Sequence, residues 1–488
     1  MPADRVLVID AGTSALRAMS VAMDGETDAL ATQPWPIDMP DDAAPFGREI
    51  DADALERAVT ALVDASAGHG PFAAIATSGQ REGLILADEA LRPILVSPNI
   101  DGRASAEGML LDAGHGWEIY HATGHLPSLM HAPAKLAWLR THRPADAGRV
   151  RHTLPLADWI AARLAGKPVM SQTLGVENGV LAVRSAAPAL HLAEAGFHEG
   201  LLPPIEAEGS VIGSVAAGAL AGAPVVLAGA DTQCALVGMG VLDDGECGVP
   251  AGWSAPLQIV TAAPVFDEQM RTWTGRHVLL DRFVLESNAG ETGRAWGWVC
   301  DLLGVTPHDA AALASSAPVG SHDVTIVLGG RAMRASGMTA GIGGVLVPLP
   351  LVMSSPSRAD VVRAVLESVA FALRSNLEQL EEVTGARPAC LRLGGGMSRM
   401  ALFAQMIADV IDRPVEVART PETTALGAAA LASVAIGVHR TLEDATSAMC
   451  GGRARFEPDL RSSTEYEDRY DQWCAMANAM ERAGGEGA

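Results

Sequence analysis

The chain has 488 residues, 49% hydrophobic and 19% charged, and its 35 Lys+Arg against 58 Asp+Glu leave a net charge of −23. That apolar content excludes a disordered chain, and single cores stop growing near ~250–300 residues, so two domains of similar size are expected. So acidic a surface repels nucleic-acid phosphates and anionic lipid, leaving no nucleic acid and no membrane as expected partners; backbone N–H groups and a metal ion can still bind a phosphorylated ligand locally.

The first strand is Val6–Ile9, and Asp10 ends its apolar run too early for a signal peptide, so a cytoplasmic protein is expected. Asp10-Ala11-Gly12-Thr13-Ser14 follows, and the next residues, ALRAMSVAMDG, alternate with period two, which makes the glycine loop the bend of a hairpin. Phe72–Thr77 reads as a strand, followed by the polar cluster Ser78–Gly83 and a second apolar run, Leu84–Leu86; Pro133–His142 and Leu156–Leu164 read as helices. Val211–Ala230 is uncharged over 20 residues, but its Ala and Gly content and Pro224 point to a buried helix–turn–strand and not a membrane span. Its strand ends at Asp231, and Thr232–Gly240 leaves it as a helix or turn.

Near residue 240 the pattern starts again. Gly248–Ser254 is a strand with a glycine loop and Ala255–Ala262 continues as a strand, echoing residues 6–23 at half the chain length. An echo at that spacing means two related domains and not a solenoid. Ser357–Glu382 carries a helical apolar stripe stopped by Gly385 and Pro388. A strand, Cys390–Leu393, then leads into Gly394-Gly395-Gly396-Met397-Ser398, a helix from Arg399 to about Ile411, the strand Val415–Val417 and a helix Thr424–Ile436. This is α/β, parallel-sheet architecture with a ligand-ready loop at a strand's carboxyl end. Beyond Trp473 the tail, ending ERAGGEGA, reads as disordered.

GxxxxGK[ST], a well-placed GxGxxG, HExxH and GxSxG are all missing. Asp10 with Gly12, Thr13 and Ser14 supplies a carboxylate for a metal's water shell, a close backbone approach and two hydroxyls; the alternative is an ordinary hairpin turn. The triple glycine is either an anion-binding strand end or a tight turn. Gln80-Arg81-Glu82 is either a hydroxyl-binding set or a solvated loop, and Asp231 either a cap or a general base. His115, His121, His125 and His131, spaced 6, 4 and 6 with Gly124 between, do not make a metal set, and Trp296 and Trp298 read as core or rim packing. The six cysteines form no CxxC pair and read as reduced thiols.

In order, VIDAGTSALRA, SGQREGLIL with NIDGRA, AGADTQCALVGMG, and LGGGMSRMALFAQMIADVIDRPVEV with ETTALGAAALA resemble the FGGY family of carbohydrate kinases over nearly the whole chain. The resemblance implies two ribonuclease H-like domains of the actin- and Hsp70-like ATPase superfold with a cleft between them: 1–238 binding sugar, 239–488 binding nucleotide. It implies transfer of the γ-phosphoryl group of Mg²⁺-ATP to a hydroxyl of a short sugar or polyol, a pentulose such as xylulose first, with an autoinducer-2-type molecule, glycerol or a tetritol as alternatives. Asp231 is then the base, Asp10 faces the metal's water shell, and Gly12, Thr13 and Ser14 face the phosphates. Gln80, Arg81, Glu82, Asp101 and Arg103 line or brace the sugar pocket, and Gly395, Gly396 and Ser398 border the nucleoside. The second phosphate loop departs from the family: it reads Gly252-Trp253-Ser254, with an indole where a threonine is usual, and Ser171 stands where many relatives have Asp. The departure at Trp253 keeps a weakly catalytic sugar or nucleotide sensor as the alternative function. An actin-like ATPase is disfavoured by the 78–103 segment, and a homodimer stays open.

Overall fold

The structure is a computed structural model that describes residues 4–13, 15–193, 195–329, 331–335, 343–352 and 355–485. Six strands form the first sheet: β1 Arg5–Ala11, β2 Ala15–Ala22, β3 Thr27–Pro34, β4 Ala74–Gly79, β5 Val211–Ser214 and β6 Pro224–Ala230, in the order β5-β6-β4-β1-β2-β3. The helix α1, Asp231–Met239, leaves its last strand. Seven strands form the second: β7 Cys247–Pro250, β8 Pro256–Thr261, β9 Trp273–Arg276, β10 Phe283–Asn288, β11 Leu391–Gly394, β12 Val415–Val417 and β13 Ala454–Phe456, in the order β9-β10-β8-β7-β11-β12-β13. Helices α2 Arg358–Thr384, α3 Ala401–Ile411, α4 Thr423–Ala435 and α5 Leu460–Gly485 complete the elements used below.

The two sheets share one topology. β1 pairs antiparallel with β2 and parallel with β4, which pairs parallel with β6, itself flanked antiparallel by β5. β7 does the same with β8, β11, β12 and β13. Both glycine loops, after Asp10 and after Pro250, are therefore hairpin bends at equivalent corners.

In β1, Val6, Leu7, Val8 and Ile9 are all buried, a continuous apolar run of the kind a strand covered on both faces needs. Alternation sends Leu7 and Ile9 into one core with Trp159 and Ile160, and Val6 and Val8 into another with Ala425, Ala428 and Ala429 of α4. Hence α4, though it lies late in the chain, covers the first sheet. It also crosses α1 at backbone distance: a Cβ on Gly427 would lie 1.8 Å from the Cys234 carbonyl oxygen, and one on Gly238 2.0 Å from that of Thr423.

Two expectations are corrected. Residues 211–230 form an antiparallel hairpin of β5 and β6, not helix–turn–strand, because Gly213, Gly218 and Gly222 take φ of 157°, 92° and 87°, outside the helical region. The tail is not disordered as far as Gly485: α5 runs through it, burying Tyr466, Tyr470, Trp473 and Ala477 against the second core. Those four residues are a narrow stripe in a charge-rich segment, easily lost beside the glycines that follow. Among the described residues no helix is long and apolar enough to cross a membrane, and the six cysteines are free.

Candidate active site at the strand ends

Parallel register brings the two key carboxylates to one edge. Asp10 pairs with Ser78, and Gly79 sits between Ala11 and Ala230, so Asp231 begins α1 two strands, about 10 Å, from the Asp10 strand. Asp10 Oδ1 is buried with no hydrogen-bond partner. Burial pushes its carboxyl up to about 6, with Arg17 opposing and Glu422 adding. Asp231 accepts from the Thr232 N–H at 2.7 Å, while its carbonyl accepts from Thr424 Oγ1 of α4 at 3.2 Å. Its carboxyl is pushed up to about 7, by burial first and then by the charge of Asp10, against the pull of Arg81. A carboxylate tuned near neutrality can take a proton from a hydroxyl at working pH.

The first hairpin bend is held from behind. The Gly12 N–H donates to the Ala15 carbonyl at 3.1 Å, and the Gly12 carbonyl accepts from Gln80 Nε2 at 3.2 Å. Thr13 Oγ1 accepts from Asn99 Nδ2 at 3.2 Å, and Gln80 Oε1 accepts from the Asn99 N–H at 2.8 Å. Gln80 is therefore a buried brace between the 78–83 loop and the bend. Ser14 lies outside the described residues.

Arg81 forks onto Glu286 of β10, with Nη1 2.6 Å and Nη2 3.0 Å from its two oxygens, and Nη1 also lies 3.5 Å from Glu177. The pair crosses from the first half of the chain to the second sheet. Glu286 accepts further from Gln258 Nε2 at 2.7 Å. Glu177 accepts from Gln233 Nε2 at 2.9 Å and meets His125 Nε2 at 3.0 Å. Against its own burial, His125 and Arg81 draw the Glu177 carboxyl down to about 2; burial opposes the charge on His125, and Glu177 overcomes it and raises the imidazole. Glu82, at φ 61°, is a non-glycine residue in the left-handed region, held by Lys135 Nζ on its carbonyl at 3.1 Å. Burial raises its carboxyl.

Asp101 and Arg103 face each other, Nε to Oδ2 at 2.6 Å, and Arg103 spends its remaining nitrogens on Glu49 and the Arg48 carbonyl, both at 3.0 Å. Asp101 also accepts from Ser97 Oγ and the Arg48 N–H, so the two brace the loop that carries Asn99. Ser171 is tied to Asp158, which accepts from both its N–H and its hydroxyl.

On the opposite side, Gly252 closes its hairpin by donating to the Ser254 carbonyl at 2.9 Å, with open space where a Cβ would stand. Trp253 is turned outward, 41% exposed, with the Arg294 guanidinium 5.5 Å from its ring centroid. Gly395, at φ 80°, lies where a Cβ would be 2.5 Å from the Ala251 carbonyl oxygen, which also accepts from the Met397 N–H at 3.1 Å. The triple-glycine loop and the second hairpin bend are thus packed backbone to backbone. Gly396 has open space beside it, whereas the Ser398 hydroxyl turns back onto the Gly395 carbonyl at 2.7 Å. A short 3-10 turn, Gly396–Arg399, separates the loop from α3. A cavity of about 520 Å³ opens beside the bend, lined by Asn288, Thr292, Met333 and Ser368 among others. Trp296 is buried and Trp298 exposed.

Among the described residues no three or more His, Cys, Asp or Glu side chains are grouped to cage a metal. Mg²⁺ needs no cage: it keeps several waters and is held by one or two carboxylates plus substrate phosphates. The buried, unpartnered Asp10 Oδ1 beside the Gly12 bend fits that arrangement. Sequence reasoning missed Glu286, Glu177, Gln258 and Gln233; the one local signal is a polar side chain inside an apolar strand or helix, as in FVLESN.

Two family models match this chain: the N-terminal domain of the FGGY family of carbohydrate kinases over residues 5–238 and its C-terminal domain over residues 257–436. The chain is 28% identical over 503 residues to the autoinducer-2 kinase of Yersinia enterocolitica, covering 97% of this chain and 94% of that one. In fold it is similar to the xylulose kinase and to the gluconate kinase of Lactobacillus acidophilus, each with a TM-score of 0.86 at 20% identity, covering 99% of this chain and 100% of theirs. Paired sheets, carboxylates at one set of strand ends, bare glycine loops at the other, and both family models in chain order make this protein a member of the FGGY family of carbohydrate kinases.

Proposed function

We propose that the protein transfers the γ-phosphoryl group of Mg²⁺-ATP to a hydroxyl of a short sugar or polyol. The observation that carries this reading is the placing of two burial-raised carboxylates, Asp10 and Asp231, at strand ends of the first sheet, with glycine backbone, open beside Gly252 and Gly396, at the matching corners of the second. Phosphoryl transfer asks little covalent work of a protein; it needs in-line positioning, neutralised phosphate charge and an oriented hydroxyl. When bound, Mg²⁺ supplies charge neutralisation between phosphate oxygens, and Asp10 would hold its water shell. Asp231 accepts the proton of the attacking hydroxyl. The bends at Gly12 and Thr13 and at Gly252 approach the phosphates, and Gly395 and Gly396 border the nucleoside. Gln80 fixes the first bend, and Arg81 and Glu82 face the acceptor, with Asp101 and Arg103 holding the loop behind them. Residues 1–238 then bind the acceptor and 239–488 the nucleotide, in a cytoplasm that supplies ATP and keeps the thiols reduced.

A pentulose such as xylulose is the acceptor we favour; an autoinducer-2-type molecule is the alternative favoured by the names of the relatives at 28% identity. The outward Trp253 indole leaves the backbone of its loop clear, which favours an active kinase over a sensor. ADP release with Mg²⁺-ATP across pentuloses, hexuloses, tetritols, glycerol and autoinducer-2, with Asp231→Ala as blank, tests the reading. Acceptor-dependent release that vanishes in the variant is expected; release from no acceptor, by folded protein that binds ATP, sinks it.

A further inference from the structure

The backbone that carries Asp231 is gripped on both sides from one short helix, Gln172–Glu177. On one side the Ala230 N–H donates to Thr173 Oγ1 at 3.0 Å; on the other Gln233 Nε2 donates to Glu177 at 2.9 Å. Thr173 and Gln233 are fully buried. A hydroxyl that accepts from Ala230 still has its own proton to give, and Glu208 takes it. Burial raises the Glu208 carboxyl, and hydrogen bonds from the Thr173 N–H, at 2.6 Å, and from its hydroxyl oppose that rise. The strand itself is irregular here. β6 runs in step with β4 as far as Leu227 opposite Thr77, then skips Ala228, so that Gly229 pairs with Ser78. Gly229 takes φ 87°, in the left-handed region, and a Cβ on it would collide with Thr173 Oγ1 and Glu208 Cγ. A bulge of this kind bends a strand and re-aims the side chains beyond it, and Asp231 lies two residues on.

We propose that Thr173 is a positioning residue of this site: its hydroxyl, held by Glu208, fixes the bulged end of β6 and so the place of the Asp231 carboxylate. The proposal rests on the kinase reading above, with Asp231 as the base, and adds to it the residue that aims the base. Without the hydroxyl, the buried Ala230 N–H has lost its acceptor and Glu208 one of its donors. The strand end then relieves the unpaired N–H by moving at Gly229, where the backbone is already bent out of register. A misplacement of about 1 Å in a reacting group costs about 10²-fold in rate, so a small shift there is felt at the hydroxyl being deprotonated.

The test uses the full chain with Mg²⁺-ATP and whichever of xylulose, glycerol and autoinducer-2 turns over fastest. Thr173→Val keeps the shape of the side chain and removes the hydroxyl; Thr173→Ser keeps the hydroxyl. The valine variant is expected to lower kcat about 30-fold with KM for ATP within about twofold, and the serine variant to hold kcat within about threefold of the wild type. In an Asp231→Ala background the residual rate is expected not to fall further on adding Thr173→Val, because no base is left to aim. A Thr173→Val protein that melts like the wild type and keeps its kcat overturns the proposal and leaves the kinase reading standing. So does a serine variant as slow as the valine one, or a further fall in the Asp231→Ala background. Should Thr173→Val not fold, Glu208→Ala, which leaves the hydroxyl in place but unheld, is expected to lower kcat about fivefold with the same KM for ATP, and an unchanged kcat there overturns the proposal. No acceptor-dependent ADP release from the folded wild type fails the kinase reading itself, and the proposal with it.

Discussion

The two halves of the molecule place the same strand pattern around different chemistry. At the corner after β1 the first half presents Asp10, and after β4 and β6 it presents Gln80 and Asp231. At the matching corners after β7 and β11 the second half presents Gly252, Gly395 and Gly396, with a hydroxyl on Ser398 turned back to the main chain. Topology decides where a ligand can sit; side chains decide which ligand. Carboxylates suit a hydroxyl and a hydrated cation, whereas backbone without side chains lets phosphate oxygens and the rim of a nucleotide approach closely.

If that division is right, the largest effect falls on Asp231. Asp231→Asn should cut kcat by about 10³-fold while the melting temperature holds or rises, because the variant no longer buries a charge. A loss under about tenfold would break the comparison. Asp10→Asn should cost about 10²-fold in kcat/KM and raise the Mg²⁺ needed for half-maximal rate, read by titrating Mg²⁺ at fixed ATP. The pH profile comes next. The Asp231 carboxyl is raised to about 7, so the base form is lost as pH falls below that value: kcat/KM should drop about tenfold per unit on the acid side and level off above it. A flat profile down to pH 5 would remove Asp231 from the base role. Gly395→Ala sharpens the other half. A Cβ 2.5 Å from the Ala251 carbonyl, at φ 80°, should cost about 1–3 kcal/mol in denaturant titration and raise KM for ATP about 10-fold while KM for the acceptor hardly moves. The smallest change is expected of Trp253→Thr, within about threefold in KM for ATP, since the indole already faces solvent. A strong gain in turnover would instead mean that Trp253 restrains the second loop.

What the sequence revealed was local in character. The bends at Asp10 and Gly252, the apolar run into Asp231 and the triple glycine before α3 are each written in a few consecutive residues, and the echo of residues 6–23 near residue 248 corresponds to the matched corners of the two sheets. What it concealed was brought together from a distance. Glu286 meets Arg81 across 205 residues, and Glu177 meets Gln233 across 56, contacts that periodicity cannot announce. Residues 211–230 misled because alanine favours a helix while the glycines among them fix backbone angles that no helix allows.

The seat of α4 has a consequence for how the chain is made. The face of the first sheet that carries Val6, Val8, Ala76, Val226 and Ala228 is covered by Ala425, Ala428 and Ala429. Its last strand is synthesised by Ala230, but its cover is complete only at Ala435, 205 residues later. At ~5–20 residues per second, the ribosome holds that apolar face uncapped for about 10–40 s. A gene fragment ending near residue 238 should therefore yield a sheet with one open face, prone to precipitate whatever the strength of its other core.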